Sequence, residues 1–436
     1  MCVAGMEVRK SSGVRVSAPF RALVARQSMF YSLWFAGEKR AMNNQELIAR
    51  HQAALTLNYG KLPVALVRGE GSRLWDADGK EYIDFFAGFG GTILGHCHPV
   101  LVDAVARQAH TLWATGNQFY TEPQIRLAEH LKAKAFDGRA FFCHSGAEAN
   151  EAAIKLARLA GSQGGGGRYK IISMERGFHG RTLGALSATP TPEYQKGFYP
   201  LVPGFSAVPY NDLAALEAAI DKETCAVIVE PIQGEGGVNV PAENYLRGVR
   251  ELCTRNSLTM IVDEVWTGVG RSGKYFGHQH AGITPDIMTL GKALGGGVSV
   301  GCMFAVPEKA ALLKPGTHGC TLGGNPLCAA VGAAVLEVIE KDNLCASATK
   351  LGEMAIHRIR NFKNAGQRIK DVRGRAFMLG VELTIPDAAP VVSHALANGL
   401  IINATRKNVL RLCPALTMTE QTLNRALDML EQAINA

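Results

Sequence analysis

Three short stretches of the chain carry residue types that could do covalent and anion-binding chemistry. Lys292 stands in Leu290-Gly-Lys-Ala-Leu-Gly-Gly-Gly297, after an apolar run and among glycines. A lysine held among small apolar residues loses solvation, so its pKa falls and its neutral amine becomes a nucleophile. Asp263-Glu264 closes another apolar run, Leu258–Val262. In open α/β sheets ligands bind outside the carboxyl ends of the strands, so an acid there can face a ligand. Ser145-Gly146-Ala147-Glu148 follows a third run and opens an Ala-rich stretch with the S-x-x-E spacing of a capping box. A helix start offers unpaired N–H groups and a positive dipole end to an anion, and Gly146 lets that anion approach the backbone. Taken singly, each stretch also has an ordinary reading: a solvated lysine, a turn-capping acid, a capped helix.

Taken together they fit pyridoxal 5′-phosphate, which needs an amine for its aldehyde, an acid for its pyridine nitrogen and a cradle for its phosphate. Two other patterns are set aside. Gly268-Val-Gly-Arg-Ser-Gly273-Lys274 fits G-x-x-x-x-G-K, but Tyr275 stands where a nucleotide-binding loop has Ser or Thr. His96-x-His98 has no companion Cys/His cluster at zinc-like spacing, so no metal is expected.

The elements that must position these residues follow from periodicity. Short strands are expected at Val64–Val67, Arg73–Trp75 and Tyr82–Phe86, with a hairpin turn at Asp78-Gly79. From about residue 98, apolar strands alternate with helices. The strands are Ala140–His144, Lys170–Met174, Ala226–Val229, Leu258–Val262, Asp286–Leu290 and Gly301–Val306. Helices are expected at Ala147–Ala160 and Glu243–Asn256. This alternation implies an α/β fold whose mostly parallel sheet is covered on both faces. A helical stretch from Pro326 to about Phe362 breaks near Asp342-Asn343, and its run Leu327–Leu336 reads as a buried helix. A smaller α+β domain follows, with strands near Met378–Leu383, Leu400–Asn403 and Val409–Leu412 and helices over 390–398 and 419–434. The division is 1–41, an extension; 42–97, the N-terminal part of the small domain; 98–330, the large domain; and 331–436, the C-terminal part of the small domain. Glycines 164–167 read as a flexible loop.

Composition bounds the partners. The net charge of +8 is uneven: residues 1–41 hold seven basic and two acidic residues, the remainder 39 basic and 36 acidic. A near-neutral body argues against a nucleic-acid partner. No run of about 18 apolar residues suggests a membrane span. The ten cysteines form no C-x-x-C pair and read as reduced thiols of a cytoplasmic protein. The Arg/Ser-rich first 41 residues fit an extension ahead of Met42. The alternative is an organellar transit peptide and a mitochondrial-matrix protein.

Beyond these readings, the chain resembles the class III (subgroup II) aminotransferases over nearly all of residues 45–436. The resemblance rests on GHCHP (95–99), FYTEP (119–123), SGAEANE (145–151), GFHGRT (177–182), VEPIQGEGG (229–237), VDEVWTGVGRSG (262–273), LGKALGGG (290–297), GTHGCTLGGNPL (316–327) and VLRLCP (409–414). It implies the fold type I architecture of pyridoxal-phosphate enzymes, a large domain with a mostly parallel sheet plus a smaller α+β domain. By the same resemblance Lys292 carries the cofactor, Asp263 pairs with its ring nitrogen, and Ser145, Gly146 and Ala147 hold its phosphate. Phe178 and Val265 flank the ring. Thr321 reaches the phosphate from a neighbouring subunit, which implies a homodimer. Arg181 and Arg411 bind substrate carboxylates, and Glu230 is expected to pair with Arg411 while an ω-amino donor is bound. The stretches FYTEPQ, KGFYPLVPGF (196–205) and GGVNVPAENYLRG (236–248) are most similar to members that pass an amino group from N2-acetyl-ornithine to 2-oxoglutarate. Other ω-amino donors (4-aminobutyrate, ornithine, succinylornithine) and an aminomutase are the alternatives. Two departures stand out. Trp266 replaces a glutamine that touches the cofactor, and FFAGFGGTILGH (85–96) differs from the family's stretch at the substrate entrance.

Overall fold

Runs of apolar residues build the central sheet. The computed structural model describes residues 42–163 and 167–436. The expectations for 1–41, and for all of the glycine loop but Gly167, lie outside these residues. Residues 42–65 and 66–436 form two separate units. In the first, helix α1 (Asn44–Ala54) starts at a capping box: Glu46 N–H donates to Asn43 Oδ1 (2.8 Å) and Asn43 N–H to Glu46 Oε2 (3.1 Å).

The second unit opens with β1 (Leu66–Glu70), β2 (Arg73–Asp76) and β3 (Glu81–Asp84). The turn signal at Asp78-Gly79 does join an antiparallel pair, β2 and β3. The central sheet comprises β4 (Arg139–Cys143), β5 (Lys170–Met174), β6 (Phe205–Val208), β7 (Thr224–Val229), β8 (Thr259–Asp263), β9 (Ile287–Leu290) and β10 (Gly301–Ala305), in the order β4-β10-β9-β8-β7-β5-β6. Only β10 runs against the others.

Because side chains alternate along a strand, β7 and β8 feed two cores. Val227, Val229, Met260 and Val262 face the apolar side of a helix over Tyr245–Arg255, which contributes Leu246, Val249 and Leu252. Ala226, Ile228 and Ile261 face the other way, onto Ala153, Leu156 and Ala157 of the helix over Gly146–Gly161. Each buried aliphatic side chain contributes about 1.5–3 kcal/mol. Polar substitution at Ile228 or Ile261 would break this two-sided packing.

The expected buried helix runs Pro326–Lys341, and residues 331–336 are all buried. It packs on helices over Pro99–Thr111 and Glu122–Lys134. The break lies at Asp342-Asn343, where Asn343 takes a left-handed conformation before the next helix, Leu344–Arg360. A four-stranded antiparallel sheet follows from β11 (Ile369–Arg375), β12 (Met378–Leu383), β14 (Asn403–Thr405) and β15 (Val409–Leu412). The two-residue β13 (Leu400–Ile401) pairs instead with β3, in parallel. The expected single strand Leu400–Asn403 is therefore two strands in two sheets.

Candidate active site

Strand direction decides where the site lies. β4, β5, β7, β8 and β9 share one direction, so Ser145, Phe178, Glu230, Asp263 and Lys292 all fall at or within four residues past the ends of these strands. They collect along one carboxyl edge of the sheet, where open α/β folds bind ligands.

Asp263 is the last residue of β8 and is buried. Its Oδ2 accepts from Asn150 Nδ2 and His179 Nδ1, both at 2.8 Å, and its Oδ1 accepts from Val265 N–H at 3.0 Å. Asn150 is itself fixed by Thr289 Oγ1, which donates to its Oδ1 (2.7 Å), and by its own bond to the His179 carbonyl (2.6 Å). A carboxylate has about four acceptor positions. Three are filled, so the charge is held in one orientation with one position left for a ligand N–H.

Lys292 follows β9 after Gly291 and sits at φ +39°, a left-handed conformation that a non-glycine residue adopts at a cost of about 1–3 kcal/mol. Burial lowers its pKa to about 8, against the opposing pull of the Glu235 and Asp263 carboxylates. Its Nζ lies 4.5 Å from the centre of the Trp266 ring.

Ser145 caps the helix Gly146–Gly161, with Glu148 N–H donating to its Oγ at 3.2 Å. The capping box is altered. Glu148 Oε2 accepts from Ser145 Oγ (2.9 Å) and from the N–H of His144 (3.1 Å), one residue earlier than the usual partner. A Cβ on Gly146 would meet both Val265 methyls at 2.6 Å, and one on Gly291 would meet Gly146 N at 2.8 Å. Two glycines therefore keep a narrow approach to the helix start open, as an anion cradle needs. Ala147 lies in the first turn beside Gly180. Phe178 is half-buried, and Arg181 is exposed with its guanidinium 3.6 Å from the Tyr194 ring centre and 5.4 Å from that of Phe178.

One expected pair is not formed. Glu230 is buried and accepts from Phe178 N–H (2.9 Å) and Gly234 N–H (3.1 Å). Burial and the nearby Asp263 carboxylate push its pKa up to about 7, with His179 opposing them. It does not meet Arg411. Glu235, in the loop beyond, takes that place: Arg411 Nη1 donates to Glu235 Oε1 at 2.7 Å. The reason is geometric. Glu230 immediately follows β7 and is tied to neighbouring backbone, whereas Glu235 lies in the turn that faces β15. Burial alone would raise the Glu235 pKa, but Arg411, with Lys292 and Arg181 behind it, holds it below the usual carboxylate range.

Arg411 is fully buried between β12 and β14 and bonds Asn403 Oδ1 through Nε (3.3 Å). Its guanidinium lies 4.4 Å from the Trp266 ring centre and 5.9 Å from those of Phe86 and Phe89. The divergent stretch 85–96 does border this arginine. Trp266 fits because glycines surround it: a Cβ on Gly90 or Gly234 would come within 2.8 Å of the indole. Thr321 is the outlier. It is exposed on the loop after Gly316, beside Cys320, and no contact joins it to the other site residues among those described. Gly268–Lys274 forms turns and opens no helix, and His96 Nε2 is engaged by Asp84 Oδ2 at 2.7 Å.

The residues fit pyridoxal 5′-phosphate. Asp263 has an acceptor position in hand, Gly146 and Gly291 leave an open cradle, and three buried nitrogens at this edge lack a partner: His179 Nε2, Trp266 Nε1 and Arg411 Nη2. Glu235, His179 and Asn150 were not singled out from sequence, although all three sit inside the quoted motifs.

The class-III aminotransferase family model matches residues 55–434. An acetylornithine aminotransferase of Caldanaerobacter subterraneus is 46% identical over 390 residues, covering 89% of this chain and 99% of that one. One from Methanopyrus kandleri is 47% identical, covering 91% and 100%. Among solved structures, the ornithine aminotransferase of Toxoplasma gondii aligns with a TM-score of 0.88 at 33% identity, covering 94% of this chain and 97% of that one. The acetylornithine aminotransferase of Elizabethkingia anophelis aligns at 0.81 and 34% identity, covering 90% and 99%. With a matched family model across most of its length and its strand-end acid, lysine and helix start on one sheet edge, this chain belongs to the class-III aminotransferases.

Proposed function

We infer that this aminotransferase uses pyridoxal 5′-phosphate to move the ω-amino group of N2-acetyl-ornithine to 2-oxoglutarate. The observation that carries the reading is the Arg411–Glu235 pair, which sits with Lys292 around one tryptophan ring. A buried arginine is suited to grip an α-carboxylate through two parallel bonds. Here one of its nitrogens is covered by Glu235 and another is free. With the pair closed, the charge of Arg411 is masked and an ω-amine can enter. With Glu235 displaced, the same arginine takes the α-carboxylate of glutamate or 2-oxoglutarate.

The bound cofactor supplies an aldehyde for the amino group and a charged ring that accepts electrons from the substrate carbon. The chain does the rest. Asp263, oriented by Asn150 and His179, provides the negative charge for the ring nitrogen. Ser145, Gly146 and Ala147 offer their donors to the phosphate. Phe178 and Val265 confine the ring, and Trp266 contributes a buried, unpaired N–H. Lys292 Nζ, neutral above about pH 8, is the base that moves the proton at the substrate carbon. Arg181 holds the carboxylate of the donor. The cradle comes from the large domain, 98–330, and Arg411 from the C-terminal segment, 331–436.

A homodimer completes the reading. Trp113, Phe119 and Tyr120 are exposed, Tyr120 almost fully, and so is Leu322. Asn117 ties this segment to the Thr321 loop through Cys320 O (2.9 Å) and Gly323 O (3.0 Å). An apolar face around Thr321 suits a second copy that receives this threonine. No helix among the described residues is long and apolar enough to cross a membrane. The nine cysteines among the described residues are free, which suits the cytoplasm.

The test is a panel of N2-acetyl-ornithine, succinylornithine, ornithine and 4-aminobutyrate with 2-oxoglutarate, read as glutamate formed. N2-acetyl-ornithine should give the highest kcat/KM. Equal or faster turnover of ornithine or 4-aminobutyrate would overturn the substrate assignment.

A further inference from the structure

Beside the catalytic edge, one group of side chains has the composition and spacing of a metal centre. His144 Nδ1 lies 3.2 Å from Glu148 Oε1 and 3.4 Å from Cys320 Sγ. The three ligand atoms lie within 4.8 Å of one another, and no other His/Cys/Asp/Glu group among the described residues meets that condition. A four-coordinate zinc ion, with bonds of about 2.0–2.3 Å, sets its ligand atoms roughly 3.3–3.8 Å apart. Two of the three edges therefore stand close to coordination spacing.

His144 and Glu148 lie four residues apart, and Cys320 joins them from a distant part of the chain. His144 sits in the turn after β4, and Glu148 in the first turn of the following helix. Glu148 is oriented by the Ser145 hydroxyl and the His144 N–H, the kind of outer support that metal ligands carry. Cys320 is fixed through its carbonyl by Asn117. Within the single chain all three are partly exposed. No spacing in the sequence signals this group, because Cys320 arrives from far along the chain.

We propose that His144, Glu148 and Cys320 bind a borderline-soft divalent transition-metal ion, typified by Zn²⁺, with water as the fourth ligand. Imidazole, thiolate and carboxylate together suit zinc and cobalt rather than magnesium or calcium. On binding, the Cys320 S–H bond gives way to a sulfur–metal bond and its proton passes to solvent. His144 enters as neutral imidazole and Glu148 as carboxylate, and no electron is transferred. The bound ion tethers the loop carrying Thr321 to the start of the helix that opens at Gly146.

The test uses the holoenzyme, stripped of adventitious metal by a chelator and titrated with Co²⁺. The expected result is one ion per chain, with the visible bands of tetrahedral cobalt and a sulfur-to-cobalt charge-transfer band. Cys320→Ser and His144→Ala should each weaken binding at least roughly 100-fold, since even loss of an outer-shell partner costs about 10–100-fold. Cys97→Ser, an exposed thiol elsewhere, should leave binding unchanged. Unaltered affinity in Cys320→Ser, a spectrum without a sulfur band, or no saturable binding to the wild type would each overturn the proposal. A second measurement needs no variant: X-ray absorption at the zinc edge of the zinc-loaded holoenzyme should show one sulfur neighbour at about 2.3 Å, and absence of a sulfur neighbour would refute the site.

Discussion

Glu235→Gln tests the two-substrate reading most directly. The Arg411–Glu235 pair is 2.7 Å long, its arginine is fully buried and the glutamate side chain is 20% exposed. For charges about 4 Å apart at an effective dielectric of about 20, the attraction is roughly 4 kcal/mol. Glutamine keeps an acceptor for Nη1 and so retains a hydrogen bond worth about 1 kcal/mol, but removes the charge. A substrate carboxylate that displaces residue 235 no longer breaks an ion pair. Part of that gain is lost, because a displaced Glu235 would itself have regained hydration. The net effect should be about 1–3 kcal/mol, or roughly 5–150-fold, in favour of glutamate and 2-oxoglutarate. For the ω-amino donor the change works in reverse, since an unmasked Arg411 captures its α-carboxylate and presents the wrong end to Lys292. Single-turnover half-reactions, followed by cofactor absorbance, separate the two effects. The ratio of kcat/KM for N2-acetyl-ornithine to that for glutamate should fall at least about tenfold. Equal losses in both half-reactions, or a slower glutamate half-reaction alone, would refute the masking role.

Three further outcomes follow from the same geometry. Glu230→Gln sets an amide NH₂ against the N–H of either Phe178 or Gly234, so denaturant melts should show a loss of about 1–3 kcal/mol while the donor-to-acceptor ratio stays unchanged. Lys292, with its pKa lowered to about 8, should make cofactor uptake by the apo-protein rise with pH and level off above that value. Its folded pKa is below its unfolded one, so the apo-fold should also gain stability as pH climbs from about 8 toward 10.5; a flat uptake profile from pH 7 to 9 would count against the assignment. Gly90→Ala places a Cβ 2.8 Å from the Trp266 ring at a φ of +79°, so it should destabilise by about 1–3 kcal/mol, and Trp266→Phe in the same chain should relieve part of that loss in thermal melts.

The parallel strands were legible because burial on both faces demands near-continuous apolar runs, and β5, β7, β8 and β9 all have them. Edge strands were harder. β6 and β11 lie at the ends of their sheets, and β11 reads Ile-Lys-Asp-Val-Arg-Gly-Arg, whose polar residues conceal its period. Within the site, residues anchored at strand ends could be found by position: Lys292, Asp263 and Ser145 announce themselves after apolar runs. The partner of Arg411 could not be found by position: the resemblance implies Glu230, and the structure pairs the arginine with Glu235. The place of Glu235 is set by a loop meeting a strand from another sheet. His179 and Asn150 act on Asp263 across long chain separations, so their role depends on how the helix Gly146–Gly161 lies on the sheet. No local pattern encodes that.

Trp266 links these observations into one physical constraint. Its ring lies about equally far from two cationic side chains, Lys292 at 4.5 Å and Arg411 at 4.4 Å. Contacts of this kind contribute about 0.5–2 kcal/mol each, more as water is excluded. The indole is thereby a contact shared by an amine and a guanidinium in one small site. A smaller side chain would leave both groups freer. Room for the ring depends on Gly90 and Gly234, and Gly90 lies in a run of positive-φ residues, Ala87 to Gly90. The tryptophan and the turn over residues 87–90 thus pack as one structural unit. The left-handed turn brings Phe86 and Phe89 toward Arg411 and its glycine opens the space the indole fills. The spacing of amine, arginine and carboxylate, on which substrate choice depends, is set by that joint arrangement.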